Sequence, residues 1–198
     1  MADASELIEQ APLQDRDLLL RLSLYFDAFE HRLRQGQGWF IFNAAAGRSH
    51  RIARFIQHRV TDEYPDVSAF VLPWRDFAIS AYVNEVGLPE LAPQAIKPSA
   101  SPVAKREYQL AKHVTEETWN RLLGSDLLVL IGLKPSHWHE ATFLDRALDG
   151  RYRQRLATIL MTPEMPKDLE AEYESVDPTH TFWDRLFTRM YETSLVAL

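Results

Sequence analysis

Cysteine is absent from the 198 residues, which excludes thiolate catalysis, cysteine-ligated zinc and iron–sulfur clusters and fits a reducing compartment. Long apolar runs are missing too. The longest, residues 127–133, falls far short of the roughly 20 residues that a membrane-spanning helix needs. The opening segment, MADASELIEQ, lacks the basic start and apolar centre of a secretory signal, so a cytoplasmic location is the expectation. Excess positive charge is also lacking. The 22 Lys+Arg against 28 Asp+Glu give a net charge of −6, which argues against the chain-wide basic footprint of a stand-alone DNA binder. No GxSxG elbow or other activated-nucleophile pattern occurs, so hydrolase chemistry has no support.

What remains is an ordinary globular composition, 46% apolar and 25% charged, at a length usually met by one domain. Residues 15–35 place Leu18, Leu19, Leu22, Tyr25, Phe26, Phe29 and Leu33 at three- and four-residue steps, which predicts one amphipathic helix. Gly36 and Gly38 then permit a turn, and Trp39-Phe40-Ile41-Phe42 reads as a short buried strand. After the small-residue loop Asn43-Ala44-Ala45-Ala46-Gly47, a helix is expected over 48–61. Further strands are expected over 67–72, 127–131, 156–161 and 194–198, and further helices over 74–86, 105–123, 139–150 and 182–190. The proline-rich stretch 87–102 reads as an extended surface loop. Such alternation specifies a parallel sheet covered on both faces, with ligands beyond the carboxyl ends of the strands.

The segment GWFIFNAAAGRSHRIAR, residues 38–54, has the layout of a phosphate-binding loop: strand, small-residue turn, helix opening on Gly-Arg-Ser. Such a loop works by aiming backbone N–H groups and a helix N-terminus at one anion. On the pattern GxxxxGK[ST], Gly47 and Ser49 match, Arg48 stands in the lysine place, and Phe42 stands where the first glycine belongs. An ordinary strand-to-helix turn explains the segment equally well when it is taken alone.

Together with the later strand DLLVLIGL and the run FLDRALDGRYRQRLATILMTPEMP, the segment resembles the DnaC/IstB branch of the AAA+ ATPases over about residues 15–198, with a loop also similar to that of the Hda regulators of DnaA. The resemblance implies an α/β, P-loop NTPase-like three-layer αβα sandwich with a five-stranded parallel sheet. Residues 1–14 would be an N-terminal extension, 15–198 a single degenerate AAA+ domain, and the helical lid would be absent. In the family two acidic residues end the Walker B strand, one for magnesium and one for the attacking water; here those places hold Ile131 and Gly132. The sensor asparagine is replaced by the Thr162-Pro163 stretch. A site without these groups and the lysine has lost most of what phosphoryl transfer requires.

The expectation is therefore a pseudo-ATPase with no catalytic residues, no metal and no cofactor beyond weak ATP or ADP binding at Gly47, Arg48 and Ser49. Arg51, Arg54, Arg151 and Arg185 are the candidate interaction residues, Arg185 because its helix resembles the one that carries an interprotomer arginine finger. The partner implied is a protein: a replicative helicase, an initiator or a transposase. Two rival readings stand beside this one. A partner-activated ATPase would borrow its carboxylates from a second chain, and a DNA-binding adaptor would use the basic clusters at 48–59 and 146–155. The acidic stretch 168–177 reads as a solvated loop, His137-Trp138-His139-Glu140 as lacking the ligand spacing of a zinc site, and residues 21–26, faintly like a sliding-clamp-binding peptide, as part of a packed helical stripe.

Overall fold

A computed structural model describes residues 8–9, 11–87 and 101–198. Most of the expected loop at 87–102 lies outside the described residues. The elements run α1 (Leu13–Asp27), α2 (Phe29–Arg34), β1 (Gly38–Ile41), α3 (Ala46–Glu63), β2 (Ala69–Pro73), α4 (Trp74–Glu85), α5 (Pro102–Gly124), β3 (Leu127–Ile131), α6 (Trp138–Gln154), β4 (Ala157–Met161), α7 (Pro166–Val176), α8 (Thr181–Thr193) and β5 (Ser194–Ala197).

The five strands form one sheet in the order β2-β3-β4-β1-β5, and every pairing is parallel. Alternation along the strands divides the core. Trp39, Ile41, Leu127, Val129, Ile159 and Met161 face α1, α2 and α3, while Phe40, Phe70, Leu72, Leu128, Leu130 and Leu160 face the remaining helices. Handedness explains that division. The step from β1 to β2 crosses the sheet in one direction and the three later steps in the other, so right-handed crossovers put α3 on one face and the later helices on the opposite one.

The structure departs from the sequence pattern at two places. The stripe over 15–35 is broken at Ala28 (φ −114°, ψ 25°) into α1 and α2, and beside the break the Tyr64 hydroxyl donates to the Phe26 carbonyl at 2.5 Å. The acidic stretch read as a loop is the helix α7. Pro166 occupies its first turn, where a missing N–H costs nothing, and Leu169 and Tyr173 bury its inner face. Packing also reaches back before residue 15, since Ala11 is part of the core.

The entry to β1 depends on glycine. Gly36 has φ +67°, and a β-carbon there would stand 2.8 Å from the Arg155 backbone. At Gly38 a β-carbon would lie 1.8 Å from the Thr158 carbonyl oxygen, so β1 and β4 come this close only because that position has no side chain.

Candidate functional site

Neighbouring strands β1 and β4 send their following connections to opposite faces of the sheet, which makes the crevice beyond their carboxyl ends the topological switch point. The loop with Gly47, Arg48 and Ser49 lies there, beside the 162–164 turn after β4. Sequence position and topology thus agree on where a nucleotide would sit.

The crevice is stitched from inside. The Asn43 N–H donates to the Glu164 carbonyl at 3.0 Å, the Ala44 N–H to the Thr162 carbonyl at 2.8 Å, and the Phe42 N–H to the Ala197 carbonyl at 2.9 Å. Those loop amides are therefore committed to the sheet's own end and do not point at an anion. The left-handed conformation in the loop belongs to Asn43, φ +52°, a residue type that tolerates it, rather than to the alanines. Phe42 stands where the first glycine of the pattern belongs. Its ring turns down into the core against Phe40, 4.1 Å between centroids, so the backbone bonds and not the ring close the loop.

Gly47 is not required by the packing. Its φ is not positive, and a β-carbon would meet only the Arg51 guanidinium, at the ordinary distance of 3.5 Å. Ser49 is buried on the first turn of α3, where its N–H donates to the Ala45 carbonyl. Arg48 is engaged: its Nε lies 3.1 Å from Asp15 Oδ1, one Nη donates to the Asn43 carbonyl at 3.0 Å, and the other lies 3.4 Å from the Leu198 carbonyl. Arg51 donates from Nε to Asp15 Oδ2 at 2.9 Å. Asp15 is completely buried in the first turn of α1, so one internal carboxylate answers both Arg48 and Arg51.

At the end of β3 the places of the two Walker B carboxylates hold Ile131 and Gly132, the latter at φ +79°. Both the Gly132 and the Leu133 N–H donate to the Met161 carbonyl, at 2.9 and 2.8 Å. Just beyond, the Lys134 ammonium lies 2.6 Å from Glu164 and 2.9 Å from Glu172, and hydrogen bonds to these two carboxylates hold its pKa well above the ordinary lysine range. Asp126 is at the opposite end of β3, where it accepts from the Ser68 N–H at 2.9 Å and the Ser68 hydroxyl at 2.6 Å.

The four candidate interaction arginines separate. Arg54 is exposed with no ion-pair partner among the described residues, Arg185 is exposed and 3.1 Å from Asp145, and Arg51 is the half-exposed partner of Asp15. Arg151 is not a surface residue. At 1% exposure it donates to the carbonyls of Leu122, Ser125 and Ala157 and to the hydroxyls of Thr158 and Ser125, and burial lowers its pKa to about 10. A guanidinium has five donors in a planar fork, and here they tie α5, α6 and β4 together. Several other members of the two basic clusters are paired with acids that are distant in sequence or one helical turn away. Arg59 meets Asp27 and Glu63, His58 meets Asp62, Arg146 meets Glu85, and Arg153 meets Asp149.

Sequence reasoning missed Asp15 and the Lys134-Glu164-Glu172 cluster, because nothing in local spacing connects a first-turn aspartate to an arginine on another helix. A cleft of about 580 Å³ also opens at the far end of the sheet, against Gly36, Tyr152, Arg155, Leu156 and Thr158.

Against solved structures, the crystal structure of the DnaC helicase loader matches with a TM-score of 0.63 and 13% identity over 95% of this chain and 92% of that one. A DNA replication initiation factor matches at 0.61 and 15% over 96% of this chain and 48% of that one. The replication initiator DnaA bound to AMPPCP and single-stranded DNA matches at 0.61 and 16% over 96% and 49%. The fold is that of the DnaC helicase loader structure. The chain spans nearly all of the DnaC structure but about half of each initiator chain. No family model and no curated sequence matches it, so the likeness is one of fold. No helix among the described residues is long and apolar enough to cross a membrane.

Proposed function

We propose that this chain is an AAA+-like adaptor that binds a protein partner in DNA replication initiation, helicase loading or a mobile element, and that it turns over no ATP. The observation that carries the proposal is the internally closed switch-point crevice. The Asn43 and Ala44 amides at the start of the loop are bonded to the turn after β4, and the arginine in the lysine place is held by Asp15. No carboxylate stands at positions 131 or 132 to hold magnesium or orient water. Phosphoryl transfer consists of positioning and charge stabilisation, and the residues present offer neither. The replication setting is taken from the structures that share this fold, and the adaptor role from a scaffold whose nucleotide machinery has been replaced by structural bonds.

The decisive test pairs phosphate release, with magnesium and DNA present, with calorimetric titration of ATP and ADP. No turnover and no heat at millimolar nucleotide is the expected result. Magnesium-dependent binding, or turnover comparable to an active AAA+ protein, would reject it in favour of a partner-activated ATPase. Direct DNA binding has little to work with, because most arginines of the basic clusters are already paired with acids. Anisotropy with single- and double-stranded DNA at low salt should therefore show no binding by this chain alone.

A further inference from the structure

We infer that His137, His139 and Glu140, where the loop after β3 enters α6, form a binding site for one divalent transition-metal ion of the zinc class. A ligand atom from each of the three residues lies within 4.8 Å of the other two, the one such group among the described residues. The His137 Nδ1 and Glu140 Oε1 are 3.4 Å apart, already the separation of two ligands around a tetrahedral zinc with bonds near 2.0–2.1 Å, about 3.4 Å. The two imidazoles lie 5.1 Å apart with their planes 22° from parallel. The remaining separations, at most 4.8 Å, are within about 1.5 Å of that tetrahedral value.

The surroundings are those of a held ligand set. Glu140 Oε2 accepts from the Ser136 N–H at 2.7 Å, which orients the carboxylate and leaves Oε1 for the imidazoles. Tyr82 packs at a steep angle against the His139 ring, 5.5 Å between centroids. Glu140 is only 6% exposed, yet among the described residues no Arg or Lys forms an ion pair with it; the imidazoles of His137 and His139 are its neighbours. Buried carboxylates are ordinarily paired, and a cation here supplies the missing counter-charge. The His137 side chain, 64% exposed, provides the path of entry. The bond to Ser136 alone would be explained by capping of α6, but capping does not call for two imidazoles beside the free oxygen.

Two imidazole nitrogens and one carboxylate oxygen suit zinc, nickel or cobalt better than magnesium or calcium, and water would fill the remaining position. The site belongs to α6 and is independent of the closed P-loop. Its consequence is to clamp the start of α6 to the loop before it.

Zinc is titrated into the untagged full chain by calorimetry, with Co2+ absorption as a second readout of coordination and thermal unfolding as a third. One zinc per chain is expected. His137→Ala, at an exposed position that leaves the core untouched, and Glu140→Gln should each weaken binding at least about tenfold. Zinc at a hundredfold excess over its Kd should raise the midpoint of the parent chain by about 5–10 °C and that of His137→Ala by no more than about half as much. No saturable zinc binding, or equal affinity in the parent chain and His137→Ala, would overturn the assignment; the second result would place the metal on other histidines.

Discussion

Replacing Asp15 with alanine removes the one carboxylate that answers both Arg48 and Arg51. Its side chain is 1% exposed, whereas Arg48 is 13% and Arg51 40% exposed, so the aspartate end of the cluster is dry and one arginine end is partly wet. Breaking a fully buried ion pair by deleting one partner costs about 3–5 kcal/mol, because the other charge is left stranded. Arg51 can recover part of its hydration, and that discount brings the expected loss to about 2–4 kcal/mol. For a chain of this length the loss corresponds to a drop in Tm of about 5–15 °C, readable by calorimetry and by urea unfolding with an unchanged m value. Pairing the variant with Arg48→Met in a double-mutant cycle isolates the Asp15–Arg48 coupling, expected at about 1–2 kcal/mol. Freeing Arg48 this way should not create nucleotide binding, since the Asn43 and Ala44 amides remain bonded to the 162–164 turn. A loss below about 1 kcal/mol, or a new ATP-binding heat in Asp15→Ala, would refute the view that this carboxylate is structural and that backbone bonds keep the crevice shut.

Four other perturbations read the same architecture. Arg151→Met strands the carbonyls of Leu122, Ser125 and Ala157 and should cost about 3–5 kcal/mol by urea unfolding, with a loss under 1 kcal/mol counting against its role as a buried tie. Gly38→Ala drives a methyl group into the Thr158 carbonyl and should abolish cooperative unfolding or force β1 away from β4, visible as lost near-UV dichroism. Gly47→Ala, by contrast, should fold normally and gain about 0.5 kcal/mol or less by urea unfolding, whereas a loss above about 1 kcal/mol would show that the packing requires the glycine. Asp177 receives N–H bonds from Thr179 and Phe182 and the Thr179 hydroxyl. Although burial by itself would raise its pKa, these donors hold it below the ordinary 3.8. Its contribution is therefore present at neutral pH and lost as pH falls through the lowered folded-state value. Asp177→Ala should cost about 1–2 kcal/mol at pH 7, and the gap to the parent chain should narrow below pH 4.

The placement of a P-loop-like turn after the first strand was legible because strand, small-residue loop and helix are adjacent in sequence and each has a local signature. Ile131 and Gly132 were legible for the same reason: Ile131 ends, and Gly132 follows, a run of five apolar residues that reads as an inner strand of the sheet. The helix α7 was not, since its acidic surface residues mask an inner face of just Leu169 and Tyr173. Arg151 was misread because a guanidinium among charged neighbours looks like a surface group until its carbonyl partners, contributed by α5 and β4, are brought around it. The charge clusters failed similarly, since a basic run says nothing about the acids that will fold onto it.

By itself the sequence determined the order of strands and helices, the two-sided burial of the sheet and the absence of acidic groups at the Walker B positions, all of them properties of neighbours along the chain. Only the tertiary structure decided that β1 lies between β4 and β5, that Asp15 crosses to Arg48 and Arg51, and that the loop amides are taken by the turn after β4. Those facts depend on groups far apart in sequence, and a hydrogen bond or ion pair leaves no periodic trace in the chain that makes it.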